Sequence, residues 1–215
     1  VFVNQDVVPP LAAAGHDSTL TCIVLTTNLN VNGSSTGTGF SYQSSTQDGQ
    51  ILNGADTPTP SVSEPGTYQL LVLNLATGCT NTTTVLVPED VEFPASASAV
   101  SGELTCAVQT LPLSNAGSST GTQYAYLWTS TDGNIISGST DSNPVVNEPG
   151  IYNLLVTNTI NGCTGTSAVA VQQNITPPVV NATVSNLLTC TVTQIQLQGN
   201  VTGGSQGVSY VWAGP

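Results

Sequence analysis

Residues Glu64–Asn74 read EPGTYQLLVLN, and residues Glu148–Asn158 read EPGIYNLLVTN. Each stretch begins with a Pro-Gly turn, sets a tyrosine two residues after the glycine, and then alternates apolar with polar side chains. A period of two is the mark of a strand with one face in a core. The two stretches lie 148 − 64 = 84 residues apart, and the same offset governs their surroundings. The cysteines of the LTC triplets are Cys22, Cys106 and Cys190, with 106 − 22 = 190 − 106 = 84. Cys79 in ATGCTNT falls on Cys163 in INGCTGT, Tyr42 on Tyr126, and Asp48-Gly49 on Asp132-Gly133. A fixed period with its turn signals in register means tandem modules.

The period divides the chain into residues 1–4, which end the last strand of a preceding module, then module one at 5–88, module two at 89–172, and the first strands of a third at 173–215. VFVNQDVVPP at the start matches VLVPEDVEFP from Val85 and VAVQQNITPP from Val169, so the chain reads as a stretch of a longer protein. Short alternating runs recur at TTTVLV from Thr82 and TSAVAV from Thr166, separated by segments rich in Gly and Pro. Helical periodicity is missing. Short strands between frequent turns predict an all-β fold of tandem immunoglobulin-like β-sandwiches, about seven strands to each module. In module two the strands are expected near residues 92–100, 104–114, 124–130, 134–137, 144–147, 152–158 and 163–171. Tyr68 and Tyr152 open the sixth strand, where such sandwiches pin a corner through a tyrosine hydroxyl. Trp128 and Trp212 fall in the third strand, where a large aromatic is expected in the core. Module one has Ser44 there, so neighbours such as Phe40 must fill the space or that module is the weaker.

The chain carries 12 acidic residues, one His and no Lys or Arg, a formal net charge of −12. Nucleic-acid binding needs cations to displace phosphate counterions, and anionic lipid needs them too; this chain has none to offer. No stretch reads as a membrane-inserting segment. An isopeptide staple would need a lysine, and trypsin finds no site to cut. Stability must come from burial, backbone pairing and cystine. Five cysteines at repeating positions, without a CxxC, point to cystine in an oxidising compartment.

LTC, SSTG, YxW, TDGNI, EPGxY, TN and NGCT followed by alternating Val, taken together, resemble the tandem immunoglobulin-like or PKD-like repeats of very large surface adhesins of Bacteroidota, the group whose gliding adhesins and surface fibres are built from such units. The resemblance runs the length of the chain, with departures at Ser44 and at TGGSQG from Thr202, which stands where SSTG is expected. It implies export to the cell surface and a structural or adhesive role. The partners it implies are neighbouring modules and other copies in a filament.

Two cystine schemes are open. In an immunoglobulin-like sandwich the turn before the last strand and the start of the second strand lie at opposite ends, so a bond within one module would span most of a strand, beyond the roughly 7 Å that Cα atoms allow. Modules stacked head to tail would bring Cys22 to Cys163, leaving Cys79, Cys106 and Cys190 for modules outside this stretch or for another chain. The alternative pairs Cys22 with Cys79 and Cys106 with Cys163.

Catalytic chemistry finds little footing, and no enzyme is expected. The only imidazole, His16, sits beside Asp17 and Ser18 in one short segment, where three adjacent residues rarely converge as a triad. Glu89, Asp90 and Glu92, with Asp6 at the matching earlier position, make a junction calcium site a secondary reading, though Gln173 and Asn174 replace the acids later. No other cofactor is expected. Asp48-Gly49 and Asp132-Gly133 read as hairpin turns, and Glu64 and Glu148 as turn residues. The SSTG loops, Ser34–Gly37 and Ser118–Gly121, read first as turns and second as hydroxyl displays for glycans, and Asp17-Ser18-Thr19 resembles an O-glycan acceptor at Ser18. The leading reading is a structural repeat of an extracellular adhesin or filament. The alternative is an array of glycan- or calcium-binding modules.

Overall fold

The computed structural model describes residues 7–203 and 207–214, and among them there is no helix. The first repeat holds nine strands: β1 (Gly15–His16), β2 (Leu20–Thr21), β3 (Thr27–Asn30), β4 (Phe40–Thr46), β5 (Ile51–Asn53), β6 (Ser61–Val62), β7 (Gly66–Asn74), β8 (Thr80–Val87) and β9 (Glu89–Asp90). The second holds β10 (Ala99–Val100), β11 (Leu104–Thr105), β12 (Leu111–Ser114), β13 (Tyr124–Ser130), β14 (Ile135–Ser137), β15 (Val145–Val146), β16 (Gly150–Asn158), β17 (Thr164–Val171) and β18 (Gln173–Asn174). Each of these lies 84 residues after its counterpart, as in 111 − 27 for β12 and β3. A hairpin, β19 (Val179–Val184) with β20 (Leu197–Thr202), follows.

Strand order is β1-β3-β6-β5 in one sheet and β4-β7-β8 in the other, and the second repeat repeats it as β10-β12-β15-β14 and β13-β16-β17. Four strands facing three, in this order, is the constant-type immunoglobulin arrangement. The chain is therefore an all-β protein of tandem immunoglobulin-like sandwiches. Its alternation works as the sequence implies: in β7, Tyr68, Leu70 and Val72 are buried while Thr67 and Gln69 face water. Each such side chain removed from water contributes about 1.5–3 kcal/mol. Packing divides the chain into two compact units. One takes residues up to 94 with 120–124 and 157–165; the other takes 95–119, 125–156 and 166 onward.

The tyrosine corner is built twice. Tyr68 donates its hydroxyl to the Glu64 carbonyl at 2.6 Å and accepts the Gln50 amide at 3.0 Å; Tyr152 does the same with Glu148 at 2.7 Å and Asn134 at 2.9 Å. Gly49 and Gly133 are required here, because a Cβ on either would run into the tyrosine hydroxyl. The adjacent Asp48 and Asp132 carboxylates accept the amides of Thr67 and Ile151 at 2.9 and 3.0 Å, tying each turn to the following strand.

Three expectations need correction. The second strand of each module is not continuous: β11 and β12 are separated by a turn, in which the Thr105 amide donates to the Val108 carbonyl at 2.8 Å. The Thr105 hydroxyl accepts the amides of Ala107 and Val108, and this side-chain competition stops the ladder. Trp128 is 1% exposed, as a core aromatic should be, but Trp212 is 52% exposed and lies outside any strand. Its ring rests on Gly199. Phe40 does not take over from the missing indole in the first repeat. Ser44 is buried beside Leu29, Pro58, Pro60, Leu70 and Val85, which close in to leave a cavity of about 10 Å³.

Candidate functional site

The feature with the most chemistry is a clasp within the first compact unit. Thr21 anchors a tight hook: its amide donates to the Val24 carbonyl at 2.9 Å and its hydroxyl accepts the amides of Ile23 and Val24. Leu20 and Thr21 run parallel to Glu89 and Asp90, which fixes the hook against the strip that follows the last strand of the repeat. Cys22, at the bend, forms a disulfide with Cys163, with Cα atoms 5.1 Å apart and 141 residues of separation. Cys79, Cys106 and Cys190 are free thiols, so Cys22–Cys79 and Cys106–Cys163 do not form.

The other half of the clasp is the turn at 158–163. Gly162 takes φ +74°, its amide donates to the Asn158 carbonyl at 2.8 Å, and the Asn158 amide donates to the Cys163 carbonyl at 2.9 Å. Only glycine fits, because the conformation is left-handed and because a Cβ would collide with Cγ2 of Ile23. Asn161 completes the joint. It is fully buried, its Nδ2 donates to Asp90 Oδ1 at 2.9 Å and to the Glu92 carbonyl at 3.1 Å, and its Oδ1 accepts the Cys163 amide at 3.0 Å. Sequence reasoning passed over Asn161. The signal was the change from Thr77 in ATGC to Asn161 in INGC. Asn161→Ala is expected to cost about 1–3 kcal/mol, because it strands a buried amide and removes a donor from a carboxylate; urea unfolding of the oxidised chain measures it.

The remaining candidates are dispersed. Glu89, Asp90 and Glu92 do not converge as a calcium site: Asp90 is engaged by Asn161 and by the Glu92 amide at 3.4 Å. Among the described residues no group of three or more His, Cys, Asp or Glu forms, and Asp6 lies outside those residues. His16, Asp17 and Ser18 make no triad. His16 Nδ1 faces the Ser18 carbonyl, Asp17 accepts from Asn30, and the Ser18 hydroxyl donates to the buried Thr27 hydroxyl at 3.0 Å. An O-glycan at Ser18 would remove the proton that makes that last bond.

The SSTG loops do not display their serines. Ser34 bridges the carbonyl and amide of Ala13, Ser35 accepts the Leu11 amide, and Ser118 and Ser119 repeat this with Ala97 and Ala95. The serines thus bind the segment that leads into the first strand of each sandwich. An open groove of about 500 Å³ along Ser45–Asp48, Thr67 and Gln69 has no aromatic ring in its lining to stack on a sugar.

Burial raises the hydroxyls of Tyr68 and Tyr152 above the ordinary tyrosine value. The amides of Gln50 and Asn134 work against it, and the charges of Glu64 with Asp48, and of Glu148 with Asp132, add to it. Because the folded state holds these protons more tightly than the unfolded one, the corners stabilise fully below about pH 10, and that stability is lost as pH rises through the folded values. No lysine titrates in the same window. Thermal melts from pH 8 to 11.5 should show a falling Tm above pH 10, with a shallower fall in Tyr68→Phe/Tyr152→Phe.

No family model matches the chain, and no curated protein matches it. Among solved structures it is similar to the three N-terminal domains of the bacteriophage RB49 highly immunogenic outer capsid protein Hoc, with 12% identity, 93% of this chain and 71% of that chain covered, and TM-score 0.40. It is also similar to the amphioxus IgVJ-C2 molecule, with 13% identity, 64% and 90% covered, and TM-score 0.28. A third is the S-layer protein SbsC, domains 4 and 5, with 16% identity, 78% and 99% covered, and TM-score 0.30. Scores this low add nothing to the fold, which stands on strand order and register.

Proposed function

We propose that this chain, which resembles the surface-adhesin repeats of Bacteroidota, is a load-bearing repeat region of an extracellular adhesin or surface filament, and that it performs no catalysis. The observation that carries the reading is the disulfide between Cys22 and Cys163, which ties the hook of one repeat to the turn of the next. A structural disulfide supports an oxidising compartment. It adds no reactive group; it withholds chain from extension. Supporting features are a surface without Lys or Arg, serine loops spent on internal bonds, and paired corners that lock the strands.

Pulling the chain from its two ends by single-molecule force spectroscopy tests this. The oxidised chain should release less length on full unfolding than the reduced chain, by 141 residues at about 3.3–3.6 Å each, or roughly 470–510 Å. Equal lengths in the two states would defeat the load-bearing reading. Saturable, stereospecific binding on a glycan array would favour a ligand-binding array in its place.

A further inference from the structure

The outer strand of a sheet leaves a row of N–H and C=O groups facing away from its neighbour, a template for another strand unless the chain blunts it. The second sandwich has four such edges, from its sheets β10-β12-β15-β14 and β13-β16-β17. Three are blunted. β10 is two residues long, and β14 carries an irregularity between Ile135 and Ser137. The β13 edge is crossed by a strap whose Ser139 carbonyl takes the Trp128 amide at 2.7 Å. β17 uses none of these devices. From Thr166 to Val171 it reads TSAVAV, without charge, proline or glycine, the composition that pairs most readily when it lies on an edge.

The pairing of β17 with β16 determines which of its groups are free. The Asn158 amide donates to the Cys163 carbonyl, and along an antiparallel pair such bonds recur at every second residue. Val169 and its alternate neighbours therefore bond to β16, while Thr166, Ala168 and Ala170 turn their backbone groups outward. These three residues are exposed, and among the described residues nothing bonds to their amides or carbonyls. Ser96 approaches β17 from its half-buried side only, where its hydroxyl lies 2.9 Å from that of Ser167. The first repeat closes the corresponding edge. There Asn81 accepts the Thr82 amide with its Oδ1 at 2.9 Å and donates its Nδ2 to the Pro10 carbonyl at 2.9 Å. Gly165 stands in the place of Asn81 and leaves the Thr166 amide open.

Charge selects the occupant. All 12 acids lie at or before Glu148, and residues 149–215 carry none. Copies with a net charge of −12 repel one another, so they meet at least cost through a strand that brings no charge to the contact. A basic partner finds no carboxylate on β17, whereas a second β17 matches it group for group.

We propose that β17 is a self-pairing edge, on which residues 166–171 of two copies of this chain join antiparallel about a twofold axis at Ala168. Thr166 lies opposite Ala170 of the second copy, and Ala168 lies opposite its own counterpart, each pair exchanging both backbone bonds. The outward side chains that meet are Thr and Ala, small enough for the strands to approach without a clash. The sheet β13-β16-β17 of one copy continues into that of the other. Because the same surface is used on both sides, the contact closes on itself and joins two chains side by side.

The proposal deepens the filament reading and rests on it. Its test reads association between copies, so it can fail while the length difference under force in a single chain persists. Sedimentation of the 215-residue chain should show a monomer–dimer equilibrium, and amide exchange at Thr166, Ala168 and Ala170 should slow as the dimer fills. Ala168→Glu sets two carboxylates face to face on the axis and should weaken the dimer at least tenfold. Gly165→Asn, which copies the cap of the first repeat, should weaken it as much. Both substitutions are on outlying positions of the strand, and an unchanged melting profile of the monomer separates lost pairing from lost fold. With Cys79, Cys106 and Cys190 replaced by Ser, Ala168→Cys should cross-link to itself under oxidised glutathione at least tenfold more than Thr84→Cys, its counterpart on the capped edge. A chain that stays monomeric up to about 1 mM, a dimer that survives both Ala168→Glu and Gly165→Asn, or equal cross-linking at positions 168 and 84 would overturn the proposal.

Discussion

Trp128→Ala should lower the stability of its sandwich by about 3–5 kcal/mol, the cost of emptying a buried aromatic site that cannot collapse fully. The indole is 1% exposed, and its Nε1 donates to the Asp141 carbonyl at 3.1 Å, so the change opens a void and also leaves an acceptor without its donor. For a unit of this size the loss corresponds to a drop in Tm of at least about 12 °C. Two comparisons within the chain sharpen the expectation. Trp212→Ala should alter stability by less than about 0.5 kcal/mol, because that ring is already half in water. The first repeat shows how a sandwich of this type manages without the indole: Pro58 and Pro60 line the space next to Ser44. The second repeat has Ser142 and Pro144 at those places and packs around the larger ring. Differential scanning calorimetry of the two tryptophan variants decides the matter, and a loss from Trp128→Ala as small as the one expected from Trp212→Ala would show that Trp128 is not a core residue in solution.

What the sequence revealed, and where it fell short, follows from the range of the interactions involved. The tyrosine corners were legible because a turn, a tyrosine and an alternating strand lie within eleven residues, and local chemistry determines them. Trp128 was legible because the alternation of its own strand, YAYLWTS, sets it on the buried face. Trp212 was misread because burial belongs to the neighbours of a residue and not to the residue. The SSTG loops were legible as turns, but not the bonds that their serines make with Ala13 and Ala97, nor the one from Ser18 to Thr27, because those partners lie far off in sequence or on another strand. The hook was written in plain sight as TCIV, TCAV and TCTV, with threonine before each cysteine and valine two residues after it. It was absorbed into a strand because a threonine that stops a ladder with its own hydroxyl looks, by propensity, like a strand former. Asn161 was invisible for a different reason: its partners, Asp90 and Glu92, are 71 and 69 residues away.

Reducing the Cys22–Cys163 bond, or replacing Cys22 with Ser, should destabilise the other compact unit by about 3–5 kcal/mol. The size follows from loop length: a cross-link that closes a loop longer than 100 residues removes unfolded-chain entropy equivalent to almost 5 kcal/mol in the ideal case, and measured values commonly fall below the ideal. The separation here is 141 residues. Both cysteines belong to the unit made of residues up to 94, 120–124 and 157–165, whereas Trp128 belongs to the unit containing 125–156. The two changes should therefore act on different calorimetric transitions. Their effects should add within about 0.5 kcal/mol, since the altered groups share no partner. Asn161→Ala behaves differently. Asn161 holds the Cys163 amide, so it and the disulfide stabilise the same turn, and the double variant Cys22→Ser/Asn161→Ala should lose less than the sum of the single losses. Strict additivity of that pair would mean that Asn161 and the disulfide support different structures, and that the clasp is not one joint.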